Sequence, residues 1–254
     1  MKRLITVLMM SVCALAVFAD DEVPGISDNS FLVEEAYNQD PGVVQHISTF
    51  ERGHEGEWGY SFTQEWPAPN LKHQLSYTLL LDNNGHETGI GDAAIHYRYQ
   101  WIGNSDSRVA VSPRISLLLP TGDDDRGFGE GALGVQVMLP VSTVLTPRFV
   151  AHWNAGATFV PSHDSHEWTA ANSVVWLARP RFNALVETVW TRSEVDGASD
   201  SEVVISPGIR WSYNFDSGLQ IVPGLAIPTP VGPHHGDPSV FLYLSFEHPF
   251  RRAQ

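Results

Sequence analysis

Within five residues, His163-Asp164-Ser165-His166-Glu167 sets two imidazoles beside two carboxylates. These are donor types that suit zinc or copper. His234 and His235 add a second pair, and His54 and His86 lie in similar charged, glycine-rich stretches. His163, His166, His234 and His235 are therefore weak metal candidates, against a plainer reading in which exposed loops simply collect polar side chains. The same stretches offer hydrolase chemistry: Asp123, Asp124, Asp164 and His166 would make a rim acid/base pair if their loops converged. No serine stands beside His152 by local spacing, so a serine nucleophile is not expected. Asp123, Asp124 and Asp125 form a run suited to the divalent cations that bridge lipopolysaccharide, although such runs are usually solvated faces. The expectation is a chain without catalytic residues, resident metal or cofactor.

A second constellation is spread along the chain. Glu65, Asp92, His96, Arg98, Arg114, His152, Asn154, Glu187, Arg210 and Glu247 all fall on the polar side of segments that alternate with a period of two. In GDAAIHYRYQW, Ile95, Tyr97, Tyr99 and Trp101 share one side while Asp92, His96, Arg98 and Gln100 share the other. RFVAHWNAGATF sets Phe149, Trp153 and Phe159 against Arg148, His152 and Asn154. VVISPGIRWSY sets Ile205, Ile209 and Tyr213 against Ser206, Gly208 and Arg210. Such strands run about ten to twelve residues, whereas those of soluble sandwiches average about five or six. The longer figure matches a tilted bilayer crossing. Arginine and carboxylate at similar depth, mixed with Gly, Ser, Asn and His, suit a crowded hydrated interior in which charges must pair. Read so, the ten residues line a lumen, either as a selective constriction or as a plug of paired charges.

The punctuation between strands predicts an all-β fold, a transmembrane antiparallel up-and-down barrel of about twelve strands over residues 43–250. Short connections such as PAPN, ARP and NFDS alternate with longer ones such as DNNGHETG, TGDDDRGFGEG, PSHDSHE, SEVDGASD and PTPVGPHHGDP. Plain turns on one rim and long loops on the other are the habit of outer-membrane barrels, and an even strand number returns both termini to the periplasm. Trp58 and Trp168 fall at loop-side strand ends and Trp66, Trp101, Trp176 and Trp211 at turn-side ends, as in aromatic girdles.

Ahead of the strands, Lys2 and Arg3 precede an apolar run to Phe18, so residues 1–19 read as a secretory signal. Cys13, the one cysteine, lies inside it, which leaves an exported chain with neither disulfides nor thiolate metal ligands. Residues 20–42 form an acidic N-terminal segment in the periplasm, either a tether or a partial plug with a helical turn capped by Ser30. Fifteen Lys and Arg against 29 Asp and Glu give a formal charge of −14, a balance that excludes nucleic-acid partners. No later stretch is apolar enough for a membrane helix.

The strand SVFLYLSFEHPF resembles the C-terminal signal read by the barrel-assembly machinery, except that residues 251–254 follow Phe250. The stretches FLVEEAYNQDPGVVQHI, FTQEWPAPN, HQLSYTL, GIGDAAIHYRYQ, PRISLLLPTG and HWNAGATF resemble a group of bacterial outer-membrane transporters, similar to the family named for the meta-pathway of phenol degradation. That resemblance implies an outer-membrane location in lipid and lipopolysaccharide, and passage of small molecules, aromatic or otherwise hydrophobic. The alternatives to a channel are a barrel hydrolase and a non-conducting scaffold or receptor.

Overall fold

The alternation is realised as strands whose odd and even residues face different solvents. The computed structural model describes Ile26, Asp28 and residues 30–232 and 236–250; the signal, the last four residues, His234 and His235 lie outside these. The strands are β1 (Val43–Arg52), β2 (Trp58–Pro67), β3 (His73–Asn83), β4 (Thr88–Ile90), β5 (Ala93–Tyr99), β6 (Val109–Val111), β7 (Arg114–Leu119) and β8 (Gly134–Thr146). There follow β9 (Phe149–Val160), β10 (Ser165–Arg179), β11 (Phe182–Val195), β12 (Ala198–Trp211), β13 (Tyr213–Asn214), β14 (Gln220–Ala226), β15 (Thr229–Val231) and β16 (Val240–Pro249). β4 runs on into β5, β6 into β7, β12 into β13 and β14 into β15, so the segments make twelve staves. Every pairing is antiparallel, and β16 closes on β1 over ten rows, from Val43 opposite Pro249 to Arg52 opposite Val240. A closed ladder leaves no edge, which is what a sheet needs to stand in hydrocarbon.

Side-chain parity follows the sequence pattern. Ile95, Tyr97, Ile115, Leu117, Trp153, Trp176, Ile205, Ile209 and Leu242 stand on the outside, while Gln45, Ser116, His152, Glu187, Arg210, Tyr243 and Ser245 are buried inside. The apolar outside and polar inside place the chain in the bacterial outer membrane, spanned by strands. Among the described residues no helix is long and apolar enough to cross a membrane.

Two outer connections are tighter than expected. PSHDSHE and SEVDGASD read as long loops, yet β10 starts at Ser165 and β11 and β12 run to Val195 and from Ala198. Asp196 and Gly197, with φ of 50° and 79°, form a two-residue hairpin turn of the kind that Asp-Gly sequences favour. β10, with 15 residues, and β11 and β12, with 14 each, are thus longer than the roughly 9–11 residues that a tilted crossing needs. The connection at residues 121–133 stays long and folds back on itself: Phe128 is buried, and Arg126 pairs with Glu87 and Asp123.

Among the described residues of the N-terminal segment there is no helix. Its described residues run as an extended strap inside the barrel from Asp28 to Gln39, and Ser30 bonds Ser173 rather than capping a turn. Helical hydrogen bonds are replaced by bonds to the wall.

Candidate functional site

A strap without secondary structure must find partners for each backbone amide, because a buried N–H left unbonded is costly. The barrel supplies them from inward side chains, one stave after another. Gln39 N–H donates to Gln74 Oε1 at 2.7 Å, and Asn38 N–H to Gln100 Oε1 at 3.0 Å. Ala36 N–H donates to Ser142 Oγ at 2.8 Å and Glu34 N–H to Asn154 Oδ1 at 2.8 Å. Leu32 and Val33 both donate to Glu187 Oε1, at 2.9 and 3.0 Å. Gln100 also donates to Ala36 O and Asn154 to Glu34 O, so each primary amide meets a donor and an acceptor on the strap as a neighbouring strand would.

Charge fixes the middle of the strap. Glu34 receives Arg98 at 2.9 Å on one oxygen and Arg114 at 2.8 Å on the other. Burial works against ionising this carboxyl, but Arg114 and Arg98 outweigh it and hold its pKa below the usual value. Arg98 donates further to Tyr37 O, and Arg114 to Gln136. Ser142 Oγ, which accepts from Ala36, also lies 2.7 Å from His152 Nδ1, so strand pairing sets a serine beside this histidine that local spacing does not. The far end is tied by Asp28, whose carboxylate accepts from Gln45 and Tyr243 at 2.6 Å each and whose carbonyl accepts from Arg210 at 2.6 Å. Gln45 also bonds Gln39, so one side chain of β1 holds both ends of the loop that the strap describes.

An apolar contact completes the seat. Phe31 lies against Tyr243 and Phe241, with ring centroids 5.1 and 5.8 Å away. Its ring fills the space over Gly208 and Gly224; a Cβ at Gly208 would stand 2.7 Å from Phe31 Cε2, and one at Gly224 would also collide with the ring. The two glycines are a socket that any side chain would fill. Val175, Leu185, Val222 and Ala226 extend the apolar wall around it.

Of the residues picked out from sequence, Arg98, Arg114, Asn154, Glu187 and Arg210 meet the strap directly. Glu65 is buried and accepts from Gln74, and His96 lies between Thr78, Ser116 and Arg114. His152 acts through Ser142, and Glu247 stands half-buried on β16 opposite Gln45 and Gln220. Asp92 serves the rim: its carboxylate accepts from Gly122 and Glu130 N–H at 2.8 Å each and anchors the 121–133 connection. Sequence reasoning followed charge and passed over the neutral residues that carry the strap, Gln45, Gln74, Gln100 and Ser142. Their inward parity was the signal.

Above the strap a cavity of 1110 Å³ opens to the outer rim, with Leu32 in its floor, Trp58 and Phe128 in its wall, and Glu51, Asp82 and Glu202 around it. The loop candidates do not converge. His166 reaches only Asp164, at 3.6 Å, His163 reaches Glu130 at 3.9 Å, and Asp123 is engaged by Arg126. No group of three or more metal-ligating side chains gathers among the described residues. Asp164 is exposed, and His166 is half-buried with its ring against Phe159.

The model of the family described as "Putative MetA-pathway of phenol degradation" matches residues 25–225. No curated protein matches the chain in sequence. Among solved structures, the COG4313 outer membrane channel from Pseudomonas putida F1 is similar over 84% of this chain and 97% of its own, with a TM-score of 0.59 at 12% identity. NanC porin is similar over 81% and 98% (TM-score 0.53, 9% identity), and KdgM porin, in complex with disordered oligogalacturonate, over 82% and 99% (TM-score 0.52, 10% identity). These likenesses are of fold.

Proposed function

This chain belongs to the phenol-degradation MetA-pathway family, and we propose that it is an outer-membrane channel for small molecules whose lumen is narrowed by its own N-terminal strap. The observation that carries the reading is the way the strap is held. The amides of residues 32–34, 36, 38 and 39 bond side chains of the wall rather than the sheet ladder, so these bonds can be released without breaking a strand pair. Each released bond is replaced by one to water, at a net cost of about 1 kcal/mol. The cavity above it is a vestibule. Carboxylates at Glu51, Asp82 and Glu202 and apolar surfaces at Leu32, Val189 and Val204 line one space, which suits neutral or cationic solutes with an apolar body, aromatic compounds among them. The lumen-facing charges Arg98, Arg114 and Arg210 act as strap anchors in the closed state and line the path once the strap moves. The function is transport without catalysis.

Single-channel current across planar bilayers tests this. Brief openings of the intact chain, lengthened when residues 28–39 are deleted and blocked by an aromatic solute from the outer side, are the expected result. A folded, strap-deleted protein that stays silent would leave a receptor or scaffold in place of a channel.

A further inference from the structure

Where the last stave closes on the first, two histidines meet on the outside of the barrel. His46 of β1 has Gln45 and Ile47, both buried inside, as neighbours, and His248 of β16 stands in the outward series with Leu242 and Phe250. In the ladder His46 lies opposite Phe246 and His248 opposite Val44, a diagonal pair. Their Nε2 atoms are 3.3 Å apart, and the ring planes differ by 22°. Phe62 of β2 lies against the other face of the arrangement, 6.0 Å from the His46 ring. Both histidines lie near one rim of the barrel, His46 close to the start of β1 and His248 close to the end of β16.

We propose that His46 and His248 form a two-imidazole clip for a borderline divalent cation, zinc above all, that spans the closure seam of the barrel. Zinc–nitrogen bonds of about 2.0–2.1 Å at a tetrahedral angle put two ligand nitrogens about 3.4 Å apart, which the seam already provides. The two rings are nearly parallel, and their Nε2 atoms stand at a separation that one ion can span. In the metal-free pair one ring holds its proton on Nε2 and bridges to the other. Moving that proton to Nδ1 frees both Nε2 lone pairs with no net loss of protons. Imidazole selects zinc, nickel or copper over magnesium and calcium, and water or phosphate oxygens fill the other positions. Because both ligands are on strands already paired over ten rows, little ordering remains to oppose binding. The clip is separate from the strap and does not rest on the channel reading.

The test uses the full chain folded in detergent, stripped with a chelator, and heated in zinc or in magnesium. The expected result is a rise in unfolding temperature of about 5 °C at saturating zinc. Magnesium gives none. The zinc shift is lost in H46Q and in H248Q and kept in the loop variant H163Q/H166Q. A missing shift in the unaltered chain, or one that survives H46Q, overturns the proposal. Should either seam variant fail to fold, zinc-edge anomalous scattering from crystals of the unaltered chain decides: a peak between His46 and His248 supports the clip, and zinc found elsewhere alone overturns it.

Discussion

Staves from β2 to β9 hold the strap by directional bonds, while those from β10 to β16 hold it mainly by an apolar socket. On the first arc Gln74, Gln100, Arg98, Arg114, Ser142 and Asn154 each address a particular atom of residues 34–39. On the second, Phe31 meets Gly208, Gly224, Phe241 and Tyr243, with Ser173, Glu187, Arg210 and the hydroxyl of Tyr243 as the polar exceptions. Hydrogen bonds exchanged with water contribute little each but specify register, whereas burial of an aromatic ring contributes more and specifies little. The polar arc thus decides where the strap lies, and the apolar arc decides how firmly.

Removing both contributions at once has the largest effect. Deleting residues 28–39 is expected to raise mean conductance several-fold while the barrel still folds, as read by single-channel recording and far-ultraviolet circular dichroism. Next comes Phe31→Ala, which empties the glycine socket at a cost of about 3 kcal/mol to the seated state. Open probability then rises by about two orders of magnitude. If Phe31→Ala leaves gating unchanged, the apolar arc is not what secures the strap.

Glu34→Gln probes the polar arc. It leaves Arg98 and Arg114 without their shared carboxylate and is expected to weaken seating by about 2 kcal/mol, less than a fully buried pair because Glu34 keeps some access to water. The openings should also lose their register, seen as several sub-conductance levels in place of one.

Glu35 gives a dependence on pH. Burial raises its pKa to about 7, opposed by Arg210 and assisted by Asp28, from an ordinary value near 4.5. A carboxyl raised in the seated state favours seating when protonated. Seating therefore strengthens as pH falls from above 7 toward 4.5, and conductance falls with it. Glu35→Gln should flatten that profile. The smallest change is Ser142→Ala, which removes one acceptor for Ala36 and is expected to weaken seating by about 1 kcal/mol in the same recordings.

The barrel itself was legible because a period of two repeats in every stave and one face must meet lipid. Ile95, Tyr97, Ile205 and Ile209 were assigned to the apolar side by parity and stand on the outside. Loop lengths were less legible: glycine and acidic residues in SEVDGASD mark a loop or a tight hairpin equally well, and only pairing shows that Asp196-Gly197 is the whole turn. The lumen was read through its charges, which parity can place, but which of them meet the strap depends on a segment whose path has no periodicity. SFLVEEAYNQ has helix formers, and their preference yields to an interior that offers side-chain acceptors for the amides of residues 32–34, 36, 38 and 39. Gly208 and Gly224 show the limit most clearly, because nothing local says that the ring of Phe31, far earlier in the chain, needs that space.

Asp28 has one further consequence. It is gripped by Gln45 of the first stave and by Tyr243 and Arg210 near the end of the chain. A half-built cylinder has no such grip to offer, so the stopper cannot be fitted until the wall is whole. The seat is complete only in the closed barrel, where β16 has met β1.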